Sequence, residues 1–186
     1  RTGFRAMTER VTFAGTATMD GNTLVGVVHL FGQLTKRDGR YIAFAPGAFD
    51  KALETSDTRA FVNHDTTLLL GRRTNGTVRV SADSKALRAE IDLPNTTYAN
   101  DLRALVERGD LAEFSFGVSG GQIERSQAPD GLPLHTFTTV DELFDVSPVS
   151  VPAFAGTSAQ LHERPFGRSR SQMALARYRA LTRKDR

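Results

Sequence analysis

Three short stretches carry side chains able to do nucleophilic or acid–base chemistry. Asn63-His64-Asp65 ends the apolar run Ala60-Phe61-Val62, which sets an imidazole at a strand end facing the next loop. Ser115 stands between Phe114 and Phe116 and is followed by Gly117, so its hydroxyl points away from the aromatic face with open space beside the backbone. Further on, Val140, Phe144 and Val146 make the more apolar face of a strand and Asp145 lies opposite them. Glu142 falls on the apolar face if that strand runs through without a bulge. A carboxylate among Phe and Val needs a partner, because burying it unpaired is costly, and a histidine would supply one.

These residue types make one chemistry together. A serine hydroxyl is a weak nucleophile at neutral pH until a neighbouring imidazole takes its proton. A carboxylate then fixes the imidazole tautomer and stabilises the imidazolium that forms. The chain order His, Ser, acid differs from the chymotrypsin, subtilisin and α/β-hydrolase orders, and no GxSxG elbow is present. Each residue also has an ordinary structural reading: a surface histidine, a strand serine, an aspartate capping a loop. Spacing alone leaves the set one arrangement among several.

Other chemistries are excluded more firmly. The chain has no Cys, which removes disulfide scaffolds, Cys-ligated zinc and thiol nucleophiles. Its four His (His29, His64, His135, His162) show no HExxH spacing, so no all-protein transition-metal site is expected. No apolar run approaches the roughly 18 residues a membrane-spanning helix needs, and no charged-then-apolar secretory pattern opens the sequence. A soluble protein without membrane contact is expected. With 186 residues, 39% of them hydrophobic and 24% charged, the chain is ordinary for one globular domain plus a tail.

The elements that must position these residues are mostly strands. Residues 11–18 and 23–31 flank the turn signal Asp20-Gly21-Asn22, a β-hairpin pattern. Residues 41–44, 58–63, 77–81 and 86–92 read as further strands. Ala45-Pro46-Gly47-Ala48-Phe49 reads as a turn into a short helix with Phe49, Ala52 and Leu53 on one face. The spacing predicts a longer helix over 98–108, with Thr96 or Thr97 as cap, Leu102, Leu105 and Val106 on the apolar face, and Gly109 after its end. Residues 111–119 alternate cleanly, and a hairpin loop over 127–133 leads to a last long strand over 134–151. The class is α+β and β-dominated.

Charge divides the chain. Residues 162–186 hold eight Lys and Arg against two acidic residues, a net of +6, so the remainder carries −3 of the overall +3. An acidic body, residues 1–161, with a basic tail, residues 162–186, predicts that the tail contacts an anionic partner such as nucleic acid or an acidic protein surface. Pro165 and Gly167 read as a linker before a short amphipathic helix carrying Met173, Leu175, Ala176, Ala180 and Leu181.

Four motifs in order then carry a resemblance: Ala45-Pro46-Gly47-Ala48-Phe49-Asp50, Asn63-His64-Asp65 with Leu70-Gly71-Arg72, Glu113-Phe114-Ser115-Phe116-Gly117, and Leu143-Phe144-Asp145-Val146-Ser147-Pro148-Val149-Ser150-Val151-Pro152-Ala153. Over about residues 25–159 the chain resembles the prohead maturation proteases of tailed phages, distant relatives of the herpesvirus assemblins. The resemblance implies a mostly antiparallel, closed or nearly closed β-barrel with a few short helices. It implies Ser115 as nucleophile, His64 as general base and Asp145 as the third member. The family's last motif usually reads Leu-x-Glu-Val-Ser, so an Asp at 145 departs from it by one methylene; Glu142 is the fallback and Asp65 a more remote one. Oxyanion donors would be backbone groups. Arg72 and Arg73 are candidate supports that the sequence does not place.

The function so implied is a serine endopeptidase, needing no cofactor or metal, that cleaves scaffold or major capsid protein segments, and itself, inside the procapsid in the host bacterial cytoplasm. A homodimer is implied by the same relatives. Two rivals differ in class: a catalytically inactive scaffold or capsid-internal protein with the same fold, and a nucleic-acid-binding module. The last ranks lowest because the body lacks a basic stripe with interleaved aromatics. What separates enzyme from scaffold is whether His64 Nε2 and Ser115 Oγ come within hydrogen-bond reach.

Overall fold

The computed structural model describes residues 16–150, and the main chain of residues 8–13. In chain order its strands and helices begin with β1 Thr8–Phe13, β2 Thr16–Asp20, β3 Thr23–Leu30, β4 Thr35–Arg37, β5 Arg40–Phe44, α1 Asp50–Thr55 and β6 Arg59–Val62. They continue with β7 Asp65–Arg72, the 3-10 turn Arg73–Asn75, β8 Val78–Ala82, β9 Ala86–Asp92, α2 Thr97–Arg108, β10 Glu113–Ser119, β11 Gln122–Gln127, β12 Pro133–Thr139 and β13 Glu142–Val149. The β-dominated α+β class stands. The basic tail, its helix, the domain boundary at 161 and the end of the last motif (151–153) lie outside the described residues.

The strands form three sheets, in the orders β1-β10-β13-β6-β7, β11-β12-β5-β4 and β2-β3-β9-β8. Pairing is antiparallel except for β12 with β5 and β13 with β6. The expected closed or nearly closed barrel is not formed among the described residues: β1 and β7 stand at opposite edges of the five-stranded sheet. The reason lies in two strands that the sequence read as continuous. Residues 11–18 divide between β1 and β2, and residues 134–151 divide at Val140-Asp141 into β12 and β13. Each half joins a different sheet, so the chain ends one ladder and begins another where a barrel would need one ladder to close.

The outer edge of β7 is blunted by side chains. Thr77 Oγ1 accepts from the Arg72 N–H at 2.9 Å and donates to the Arg72 carbonyl at 3.2 Å. Tyr98 at the start of α2 donates its hydroxyl to the Leu69 carbonyl at 2.7 Å. Edge groups satisfied in this way offer less to a foreign strand.

The core is aromatic at its centre. Phe44 of β5 stacks on Phe137 at 4.9 Å and on Phe49 at 5.2 Å, and meets Phe116 of β10 edge-on at 5.4 Å. Phe49 is therefore a packing residue, as the turn reading expects. The Val140 N–H bonds the Ala48 carbonyl at 2.7 Å, which ties the Pro46-Gly47-Ala48 turn to the β12–β13 junction. Helix α2 packs with Ala99, Leu102 and Val106, whereas Leu105 is 41% exposed and leaves the expected face. Thr96 takes the N-cap position without a side-chain cap bond, and Gly109 ends the helix at φ +80°. Among the described residues, no helix is long and apolar enough to cross a membrane.

Candidate active site

Strand β10 lies inside the five-stranded sheet with β1 on one side and β13 on the other. Its residues Phe114 to Val118 are buried on both faces, so the clean alternation of the sequence separates two buried sides rather than core from solvent. Phe116 faces the aromatic core. Ser115 pairs with Ser147 across the ladder, and Gly117 pairs with Asp145.

The ladder then slips by one residue. Val118 pairs with Leu143, which leaves Phe144 as an extra residue in β13. The slip resets the alternation: Leu143 and Val146 both take the side of Val118 and Phe116, while Glu142 and Asp145 both take the side of Ser119 and Gly117. Glu142 is thus not on the apolar face. It is exposed and accepts from Ser119 Oγ at 3.1 Å, away from His64. Gly117 makes the bulge possible, because a Cβ there would collide with the Phe144 ring and Asp145 Oδ1.

Side chains from the α1–β6 loop hold the bulge. Ser56 Oγ accepts the Leu143 N–H at 3.0 Å, and Thr58 Oγ1 donates to the Leu143 carbonyl at 2.8 Å. Both residues are buried. Their bonds stand in for ladder partners on the β6 side, where β13 pairs in register only at Asp145 with Arg59.

His64 is delivered by a tight hairpin between β6 and β7. Val62 pairs with Asp65, so Asn63 and His64 are the two central residues of the turn. Both have positive φ, 51° and 60°, the pattern of the primed turns that join twisted strands. Asn63 suits that conformation and also anchors it. Its N–H bonds the Pro148 carbonyl at 3.0 Å, and its Oδ1 accepts from the Ser150 N–H at 2.9 Å and the Ser150 hydroxyl at 3.2 Å.

The turn and the bulge bring three side chains together. His64 Nε2 lies 2.6 Å from Ser115 Oγ, and His64 Nδ1 lies 2.5 Å from Asp145 Oδ2. The roles of the two ring nitrogens follow the tautomer: with the ring proton on Nδ1, that nitrogen donates to the carboxylate and Nε2 is left to accept from the serine hydroxyl. Ser115 is 0% exposed, Asp145 2% and the His64 side chain 14%. Burial keeps water from competing for these bonds and strengthens them. A hydroxyl held against an imidazole whose far nitrogen faces a carboxylate can lose its proton as it attacks an electrophilic carbon.

The remaining candidates sit elsewhere. Asp65 Oδ1 accepts from the Thr67 N–H at 2.9 Å and the Thr67 hydroxyl at 2.6 Å, and these bonds hold its carboxyl below the usual range. Arg72 grips Asp57 Oδ2 through Nε at 2.8 Å and through Nη2 at 2.5 Å, and so lowers the Asp57 carboxyl. Arg73 bonds the Glu54 and Ser56 carbonyls. Both arginines brace the loop after α1. Among the described residues, no group of three His, Asp or Glu is placed to hold a metal ion.

Sequence reading quoted Asn63 and Ser147 only as motif residues, without a role, and missed Ser56 and Thr58. Asn63 carried a signal, since Asn favours the first centre of a primed turn, but His in place of the usual Gly concealed it. The two bulge-holding residues, 85 and 87 positions from Leu143, carried none.

A family model described as caudovirus prohead serine protease matches residues 11–171. No curated protein and no solved structure was found to match.

Proposed function

The chain belongs to the caudovirus prohead serine protease family, and from that premise we propose that Ser115 is its nucleophile, His64 its general base and acid, and Asp145 the carboxylate that orients His64. One observation carries the assignment: a single imidazole contacts Ser115 Oγ at 2.6 Å through Nε2 and Asp145 Oδ2 at 2.5 Å through Nδ1.

In the reaction, Ser115 Oγ attacks the scissile carbonyl carbon as His64 Nε2 takes the hydroxyl proton. Asp145 stabilises the resulting imidazolium through Nδ1–H. His64 passes the proton to the leaving amine nitrogen, the C–N bond breaks, and an acyl-serine remains. A water then gives a proton to His64 and attacks the ester carbonyl. The C–O bond to Ser115 breaks, and Oγ recovers its proton. One peptide bond and one water become a carboxylate and an amine, and no cofactor takes part.

The substrates in this reading are segments of the phage capsid or scaffold protein, and the enzyme's own chain. Cleavage takes place inside the procapsid in the host, where local concentration suits even a modest catalyst. The enzyme works as a homo-oligomer. The domain ends near residue 161, and the +6 segment 162–186 docks on an acidic partner and is removed by self-cleavage; its charge motivates this assignment.

The test incubates wild type and Ser115→Ala alone and with the cognate capsid precursor, with products read by intact mass spectrometry. Trimming by wild type and not by Ser115→Ala is the expected result. Equal cleavage by both would remove Ser115 as nucleophile. No cleavage by either, even assembled at high concentration, would move the inactive-scaffold reading ahead.

A further inference from the structure

Beyond the three residues, Ser147 contacts the acid. Its hydroxyl lies 2.5 Å from Asp145 Oδ2, the same oxygen that faces His64 Nδ1. It also accepts the Phe61 N–H of β6 at 3.3 Å. That second bond fixes the direction of the first: with a main-chain donor aimed at its lone pair, the Ser147 hydroxyl points its own hydrogen at the carboxylate. Ser147 is 0% exposed, so water does not substitute for either partner.

The other carboxylate oxygen shows why this contact matters. Asp145 Oδ1 is buried and has no hydrogen-bond partner among the described residues. His64 and Ser147 are therefore what hold the carboxylate, both through Oδ2. Strands β13 and β6 pair in register only at Asp145 and Arg59. Beyond that point the strands are joined by the Ser147–Phe61 bond and the Asn63–Pro148 bond. Ser147 thus fixes Asp145 to the strand that ends in the His64 turn.

We propose that Ser147 is a positioning residue that locks the Asp145 carboxylate, and through it the His64 tautomer. The inference rests on the assignment of Ser115, His64 and Asp145 above, and it deepens that assignment by a fourth residue.

The experiment records 15N spectra of histidine-labelled full chain for wild type, Ser147→Ala and Ser147→Cys, with His64 assigned from its loss in His64→Gln. It also measures kcat and KM for each on a peptide spanning a cleaved site. Wild type should show a single Nδ1–H tautomer at His64. Ser147→Ala should show a tautomer mixture and a kcat lower by about tenfold, with KM within twofold. Outer partners that orient metal-ligating histidines have effects of about 10- to 100-fold on affinity or activity. Ser147→Cys keeps the volume and a weaker donor, and it should fall between the two; it also serves if Ser147→Ala does not fold. A pure Nδ1–H tautomer with unchanged kcat in either variant would overturn the proposal. The spectra do not depend on which residue is the nucleophile. Cleavage by Ser115→Ala would strike the catalytic assignment, and an unmoved tautomer would strike Ser147 alone.

Discussion

Gly117 and Asp145 face each other across the β10–β13 ladder, and the volume that a Cβ would fill at 117 is occupied by the Asp145 carboxylate and the Phe144 ring. The missing side chain on one strand is what admits the acid from the next.

Gly117→Ala should therefore act on chemistry and stability together. The methyl must displace Phe144 or turn Asp145 away from His64. Overpacking of this kind costs about 1–3 kcal/mol. The expected outcome is a lower denaturation midpoint and a fall in kcat/KM of at least about tenfold; wild-type kcat/KM in a folded variant would refute the account of the bulge.

His29 makes the fold sensitive to acid. Its ring lies among Phe31, Phe44 and Phe116 at 5.7, 5.4 and 5.9 Å, and burial pushes its pKa down to about 3. The folded value lies below the unfolded one of 6.5, so between these limits the unfolded chain binds the extra proton. The contribution of neutral His29 is full above about pH 6.5 and is lost as pH falls toward 3, at up to about 1.4 kcal/mol per pH unit. Urea melts between pH 7 and 4.5 should show that slope in wild type and a shallower one in His29→Gln. Parallel curves would mean that His29 does not drive the loss.

How much of this was legible follows from where each signal sits. Ser115 could be read because a strand alternates with period 2 and its neighbours Phe114 and Phe116 mark the faces. The α2 boundaries could be read because Gly109 ends a periodic run. Asp145 against Glu142 could not be decided from period alone. Their faces depend on the extra residue Phe144, and that bulge is fixed by Ser56 and Thr58 from far away in the sequence. Strand β7 was missed because Asn63-His64 lacks the glycine that usually announces a two-residue hairpin. The barrel expectation failed at Val140-Asp141, where a stretch apolar enough to continue instead changes sheets.

Asn63 can be separated into its two contributions. Asn63→Gly keeps the positive φ and loses the Ser150 bonds; Asn63→Ala loses both. A non-glycine residue without a local hydrogen bond costs about 1–2 kcal/mol in the left-handed region. Urea melts should give Asn63→Ala an unfolding free energy below that of Asn63→Gly by about 1–2 kcal/mol, and both should fall below wild type. If the two variants melt together, backbone conformation at 63 is not what the turn depends on.

The two acids of β13 give the sharpest contrast, because the bulge puts them on one side and only one of them reaches the imidazole. Asp145 Oδ2 faces His64 Nδ1 at 2.5 Å in a buried setting, whereas Glu142 meets Ser119 at the surface. Asp145→Asn keeps the shape but offers a donor where the ring proton needs an acceptor, which favours the wrong tautomer. A comparable exchange in a serine protease lowers kcat by about 10⁴. A loss on that order is expected for Asp145→Asn, with stability changed far less than activity. Glu142→Gln removes the charge from one exposed hydrogen bond while keeping an acceptor oxygen for Ser119, and should leave kcat within about twofold. Steady-state kinetics on the same peptide decide between them. A large loss in Glu142→Gln with Asp145→Asn still active would reverse the assignment of the acid and, with it, the role given to the bulge.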